Sequence, residues 1–286
     1  MSWLIVGTVP REDFPLVDGP CVYENGSLRV DGREIAVARG TPALLATACL
    51  AARELGLVAP MALLAGDTGR GQGSRQVYAR LVESAVGRGL RGVTFHYLQP
   101  DVEWHNKVLW KLEELAPRPL LVADAGFMYV AKMSGFAASY DLFTPDAGEM
   151  AFLADEKAPH PFYTRGFLLQ EEERVPELVE RAYAAENAAR YLLVKGGIDH
   201  IVAAGEIVAT VSLPSVPAME PIGGTGDTVT GLVTALLAAG LPVIEACRAA
   251  AKANRLLGLL ARPTPAFSVA DLLPHLPQAL AAARES

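Results

Sequence analysis

Short apolar runs alternate with longer amphipathic stretches along most of the chain. Trp3–Val6, Met61–Ala65, Gly92–Tyr97, Pro119–Ala123, Asp141–Thr144 and Tyr191–Val194 read as strands buried on both faces. Helical stretches lie between them. Gly40-Thr41-Pro42 opens an Ala/Leu helix that Gly56 closes near Leu55, and a second helix runs to Val86. Val102–Leu115 reads as a third. Val175–Arg190 is the clearest, with Leu178, Val179, Ala182, Ala185 and Ala189 on one side. Strands alternating with helices predict an α/β fold of three layers: a mainly parallel central sheet with helices on both faces. Between 21 and 38, Asn25-Gly26 and Asp31-Gly32 separate short alternating runs. That pattern predicts a small β-meander, either a sheet edge or a flap over a site.

In the last third, Val229, Leu232, Val233, Leu236 and Leu237 fall at helical spacing, and Gly240 with Pro242 ends the run. Immediately before it stands Gly223-Gly224-Thr225-Gly226-Asp227. A glycine turn opening a helix presents backbone N–H groups that have no partner inside the helix, at the positive end of its dipole. Such a turn suits an anion. Asp227 puts a carboxylate beside it, where a base can take a proton from an attacking hydroxyl. The bland alternative is an ordinary glycine turn with Asp227 as a helix-start residue.

The strand ends carry the other polar candidates. Asp124, Asp146, Glu149 and Lys195 all fall at carboxyl ends of expected strands, the edge where open α/β sheets bind ligands. Two carboxylates beside a phosphate site call for a cation, although Asp124 could equally cap the next segment and Lys195 could simply fix a backbone turn. The glycine-rich loop 66–75, with Asp67, Arg70 and Arg75, could hold an anion or merely connect. Trp104, His105 and Trp110 share one helix, where packing or a subunit contact outweighs stacking on a substrate. Residues 155–176 place aromatics in a loop, as an insertion, a lid or a contact in a homo-oligomer.

Composition narrows the classes. The chain has 286 residues, 51% hydrophobic and 20% charged, with a net charge of −7 and no basic block. One α/β domain with a sizeable core is expected, with neither nucleic acid nor an anionic membrane as partner. Cys21, Cys49 and Cys247 are far apart and odd in number, which argues against disulfides or a zinc site. The five histidines show no metal spacing. A signal peptide and a membrane span are not expected, so a cytoplasmic enzyme is.

These strand ends, in this order, resemble the ribokinase-like superfamily. Gly223-Gly224-Thr225-Gly226-Asp227 resembles its anion hole and catalytic Asp. The paired glycines are similar to those of ATP- or ADP-dependent NAD(P)H-hydrate dehydratases. Thr144-Pro145-Asp146-Ala147-Gly148-Glu149 resembles a segment shared by the dehydratases and vitamin-precursor kinases, and Lys195-Gly196-Gly197 a nucleotide-side element. Asp124-Ala125 resembles the end of a central dehydratase strand. The meander, Gly40 and Ala65-Gly66-Asp67-Thr68-Gly69 look instead like sugar kinases, but Arg39-Gly40-Thr41 stands where a double-Gly-Asn is usual. Phe95-His-Tyr-Leu-Gln-Pro-Asp101 replaces the dehydratases' Gly-Pro-Gly-Leu-Gly, and Asp146 their usual His.

The resemblance implies Asp227 as base and Gly223, Gly224, Thr225 and Gly226 as the phosphate cradle. Lys195, Gly196 and Gly197 would lie by the nucleotide, ATP or ADP. Glu149 and Asp146 would hold Mg²⁺ through water, and Asp124, Gly40 and Asp67 would face a small-molecule substrate. The expected reaction is phosphoryl transfer to a hydroxyl of a sugar-like or vitamin-precursor-like metabolite. The alternatives are NAD(P)H-hydrate dehydration, and a nucleotide-binding regulatory protein without catalysis.

Overall fold

The alternation of side chains along each strand builds two cores, one on each face of the sheet. In β1 (Ser2–Val9), Trp3 and Ile5 enter one core while Leu4 and Val6 enter the other. In β5 (Met61–Gly66), Ala62 and Leu64 divide from Leu63 and Ala65 in the same way. This is why the runs are continuously apolar instead of alternating.

The computed structural model describes residues 2–155 and 174–285. Among these, β6 (Leu90–His96), β7 (Leu120–Ala123), β8 (Leu142–Phe143) and β9 (Tyr191–Val194) complete the parallel core with β1 and β5. Its spatial order is β9-β8-β7-β6-β1-β5. The hairpin β10 (Asp199–Ala203) and β11 (Glu206–Val211) adds antiparallel beyond β9. The meander β2 (Val17–Glu24), β3 (Ser27–Val30) and β4 (Arg33–Ile35) adds antiparallel beyond β5. It is therefore a sheet edge: Leu28, Val30 and Ile35 are buried in the first core.

That first core is covered by α1 (Thr41–Glu54), by a helix at Thr225–Ala238, by another at Val243–Ala261 and by the C-terminal Leu276–Arg284. The second core is covered by α2 (Gln72–Ser84), α3 (Val102–Glu113), α4 (Gly126–Met133), α5 (Ala147–Ala154) and α6 (Val175–Ala184). In chain order the first-core helices after α1 are α7 (Thr225–Ala238) and α8 (Val243–Ala261). Glycine lets α1 and α7 cross closely: a Cβ on Gly231 would lie 2.5 Å from the Leu44 carbonyl oxygen.

One boundary differs from expectation. The helix expected over Val175–Arg190 ends at Ala184, because Glu186 takes φ +56° and the Asn187 N–H turns back to the Ala182 carbonyl. A non-glycine residue in that left-handed position leaves no sequence mark. Most of the segment expected at 155–176 lies outside the described residues. Among the described residues, no helix is long and apolar enough to cross a membrane.

Candidate active site

The parallel strands end on one edge of the sheet, and α7 begins there. Gly224 caps that helix at φ 101°, ψ −4°. A Cβ on it would lie 2.8 Å from Val269 Cγ2 and 2.9 Å from Arg39 Cα, so both backbone angle and space call for glycine. This close approach ties the turn to segment 38–40. The consequence is direct: the Gly40 N–H donates to Asp227 Oδ2 at 2.5 Å. The Arg39 side chain lies along Gly223. Thr225 turns its hydroxyl back to the Ile222 carbonyl at 3.2 Å, away from the role of an anion donor. The N–H groups of the first turn of α7 are the donors that such a turn can offer an anion.

Asp227 is buried, and its other oxygen meets His96 Nε2 at 3.0 Å. Burial pushes its carboxyl up. Hydrogen bonding and charge from His96, the Lys195 charge and the Gly40 N–H push harder the other way, and the net direction is below the usual carboxylate range. Asp227 is thus a carboxylate held toward its ionised form at a helix N-terminus.

Asp124, at the end of β7, is wholly engaged. Its Oδ1 accepts from the Ala125 N–H at 2.8 Å and from Lys195 Nζ at 3.0 Å. Its Oδ2 accepts from Thr230 Oγ1 at 2.6 Å, and lies 3.7 Å from His96 Nε2. Burial opposes the Lys195 charge, but Asp124, Glu149 and Asp146 outweigh it and raise the ammonium pKa above its ordinary value. A Cβ on Gly226 would sit 3.6 Å from Lys195 Nζ, so this cation adjoins the glycine turn. The ligand atoms of His96, Asp124 and Asp227 lie within 4.8 Å of one another. With Lys195, Thr230 and Gly40 already bonded to these carboxylates, the cluster reads as a hydrogen-bonded network.

Asp146 and Glu149 form a reciprocal capping box on α5. Asp146 Oδ1 accepts from the Glu149 N–H at 2.7 Å, and Glu149 Oε2 from the Asp146 N–H at 2.9 Å. Burial, then the Asp146 charge, pushes the Glu149 carboxyl well above its ordinary range. Next to β9, Arg255 of α8 braces the glycine turn after Lys195. It donates to the Gly196 and Gly197 carbonyls at 3.0 and 2.9 Å and to Asp199 at 2.8 Å.

Asp67 is placed otherwise. Its carboxylate accepts from the N–H groups of Gly69, Arg70, Gly71 and Ser74 and from the Ser74 hydroxyl, so it organises its own loop. Both its oxygens are spent on that loop. His105 is buried against Tyr140 and Ser134, in the second core.

The structure brings together Asp227, the glycine turn, Gly40, Asp124 and Lys195, from segments up to 187 residues apart. Sequence reasoning missed His96, Tyr97, Thr230, Arg39 and Arg255. The signal for His96 was its place at the carboxyl end of an expected strand, the criterion that had already picked out Asp124 and Lys195. Tyr97 follows it at φ +48° and 44% exposed, with its ring beside Gly40. Burial, then the Asp227 charge, pushes its hydroxyl pKa up to about 12.

Comparison with known proteins bears on the fold and the family. A ribokinase-like superfamily protein of Enterococcus faecalis superposes with a TM-score of 0.58 at 16% identity, covering 99% of this chain and 87% of that one. Phosphofructokinase-2 of Escherichia coli gives 0.57 at 14% identity, covering 98% and 100%. These likenesses establish the fold. By sequence, an uncharacterized protein of Methanocaldococcus jannaschii is 38% identical over 75% of this chain and 88% of its own length. A bifunctional NAD(P)H-hydrate repair enzyme of Hyperthermus butylicus is 42% identical over 34% of this chain. One of Pyrobaculum aerophilum is 31% identical over 63%. The matches span only 18% and 33% of those two enzymes. The family described as NAD(P)H-hydrate dehydratase (Carb_kinase) matches residues 84–279, which include the glycine turn, Asp227, Lys195, Asp124 and His96. The chain belongs to this family and has a ribokinase-like fold.

Proposed function

We propose that this chain is a nucleotide-dependent NAD(P)H-hydrate dehydratase, with Asp227 as the base of a phosphoryl-transfer step. The observation that carries the reading is Asp227, its carboxyl held below the ordinary range, in the first turn of a glycine-capped helix with Lys195 against the same turn. Family membership favours the hydrated nicotinamide ring as acceptor.

Asp227 takes the proton of the ring hydroxyl. The hydroxyl oxygen bonds to the terminal phosphorus, and the bridging P–O bond breaks, its electron pair leaving with the nucleotide. The glycine turn and Lys195 stabilise charge on the transferred group. The ester then leaves as phosphate, taking the C–O electron pair, and loss of a proton from the adjacent carbon restores the ring double bond. Asp146 and Glu149 are oxygen donors of the kind Mg²⁺ takes, and would hold it through water. When bound, Mg²⁺ neutralises charge on the nucleotide phosphates. Gly196 and Gly197, braced by Arg255, offer backbone to the nucleotide, which would be ATP or ADP.

A small-molecule kinase that releases a stable phosphate ester is a second reading. The observation favouring it is that Arg39 and Gly40, beside the base, lie in the part of the chain outside the family match. Purified protein with Mg²⁺ and ATP or ADP, offered NADH-hydrate and then a panel of sugars and vitamin precursors, separates the two. Recovery of NADH with phosphate release supports the dehydratase. A stable phosphorylated alcohol supports the kinase. Nucleotide binding without turnover on any acceptor would overturn both and leave a binding protein. Asp227→Asn should abolish turnover and keep nucleotide affinity.

A further inference from the structure

We propose that His96 is a positioning residue for Asp227: Thr41, His96 and Asp227 form a buried relay that holds the carboxylate in one plane toward the acceptor. The proposal rests on the reading of Asp227 as the base. Thr41 Oγ1 lies 3.0 Å from His96 Nδ1, and His96 Nε2 lies 3.0 Å from Asp227 Oδ1. His96 is fully buried. A carboxylate can only accept, so Nε2 carries a proton toward Asp227, and Nδ1 takes the Thr41 hydroxyl as its partner. Gly40 holds the second oxygen. Two donors from two separate segments fix the plane of the carboxylate.

The fold clears room for this relay. His96 ends β6 and Thr41 begins α1, with β1 passing between them. A Cβ on Gly7 would lie 2.5 Å from the His96 carbonyl oxygen and 2.7 Å from Thr41 Oγ1, so the first strand carries glycine at that point. The titratable groups gathered at this edge are Asp124 from the end of β7, Lys195 from the end of β9, and Glu149 from α5, whose carboxyl burial pushes well above its ordinary range; the Tyr97 hydroxyl lies among them. Lys195 pairs with Asp124, and the N–H of His96 is directed to Asp227. The geometry predicts that loss of this donor raises the proton affinity of Asp227 and frees its orientation.

The test uses the full chain with ¹³C-labelled aspartate carboxyls, the Asp227 resonance being assigned by its loss in Asp227→Asn. Titrations are run without substrate for wild type, His96→Gln, His96→Leu and Thr41→Val. Turnover is measured against pH in parallel. His96→Leu should raise the Asp227 transition by about one pH unit or more. It should move the acidic limb of kcat/KM by the same amount and lower kcat by about tenfold, with the nucleotide KM unchanged. His96→Gln, which keeps an N–H in reach, should recover most of the loss, and Thr41→Val should shift the titration less, in the same direction. Wild-type titration in a folded, nucleotide-binding His96→Leu overturns the proposal. So does His96→Gln no better than leucine. If His96→Leu does not fold, Gln and Thr41→Val decide, and an unmoved Thr41→Val titration overturns the relay. If wild type turns over no acceptor, the proposed function fails, while the titrations still judge the role of His96.

Discussion

Gly224→Ala is the sharpest perturbation of the glycine turn, because its cost can be worked from two separate terms. The native φ of 101° lies where a Cβ crowds its own backbone, which costs about 1–2 kcal/mol. The added methyl would also lie 2.9 Å from Arg39 Cα and 3.2 Å from the Ala38 carbonyl oxygen. Those are backbone atoms, which cannot rotate away, and overpacking of this kind costs about 1–3 kcal/mol. The sum is about 2–5 kcal/mol. At about 2 °C per kcal/mol for a chain of this size, Tm should fall by about 4–10 °C. Relief of the clash moves segment 38–40 from the turn, which breaks the Gly40–Asp227 hydrogen bond, so turnover should fall further than stability alone explains. Gly223→Ala is the matched control: its methyl would meet only the Arg39 side chain, at 3.6 Å, an ordinary contact. The assays are thermal unfolding and nucleotide turnover on both variants. Equal Tm and equal turnover for the two would refute the argument that the turn is set by its approach to segment 38–40.

Other residues give independent checks. Lys195→Met leaves Asp124 buried without its partner, with side chains 11% and 3% exposed in the native pair. It should cost about 3–5 kcal/mol in urea unfolding, and Asp124→Asn in the same chain should return part of it. Burial lowers the His105 pKa from 6.5 to about 4, so the folded protein resists a proton that the unfolded chain accepts. Its contribution is therefore complete above about pH 6.5 and is lost as pH falls toward 4, to the extent of about 3 kcal/mol. Urea unfolding at neutral pH and near pH 4 should show a smaller acid loss for His105→Gln than for wild type, and an equal loss would refute the assignment.

The glycine turn was legible in the sequence because its information is local. Helical periodicity starting at Val229, glycines before it and an acid at Asp227 describe a helix N-terminus without reference to any other segment. Asp124 and Lys195 were legible by position, as polar residues closing apolar strands, but not as partners: their ion pair joins residues 71 apart. Asp67 shows the opposite error. Glycines around an acid look like a ligand loop, yet the same spacing lets the carboxylate collect the N–H groups of its own turn. Asp146 and Glu149 read as a metal pair in sequence, and the structure adds that they cap α5 reciprocally, a pattern that three-residue spacing of acids before an apolar run also allows. The place of His96 at a strand end was legible, but its partner was not, because Asp227 lies 131 residues away.

The sequence alone determined the layers, the alternation of strands and helices, the edge where the strands end and a carboxylate in the first turn of a glycine-capped helix. Each follows from periodicity or from a backbone conformation that only certain residues adopt. Tertiary structure decided how the charges pair. Whether a buried acid serves as base, counter-ion or cap depends on which donors the strand ends and helix crossings bring within about 3 Å, and that distance is set by packing across the sheet.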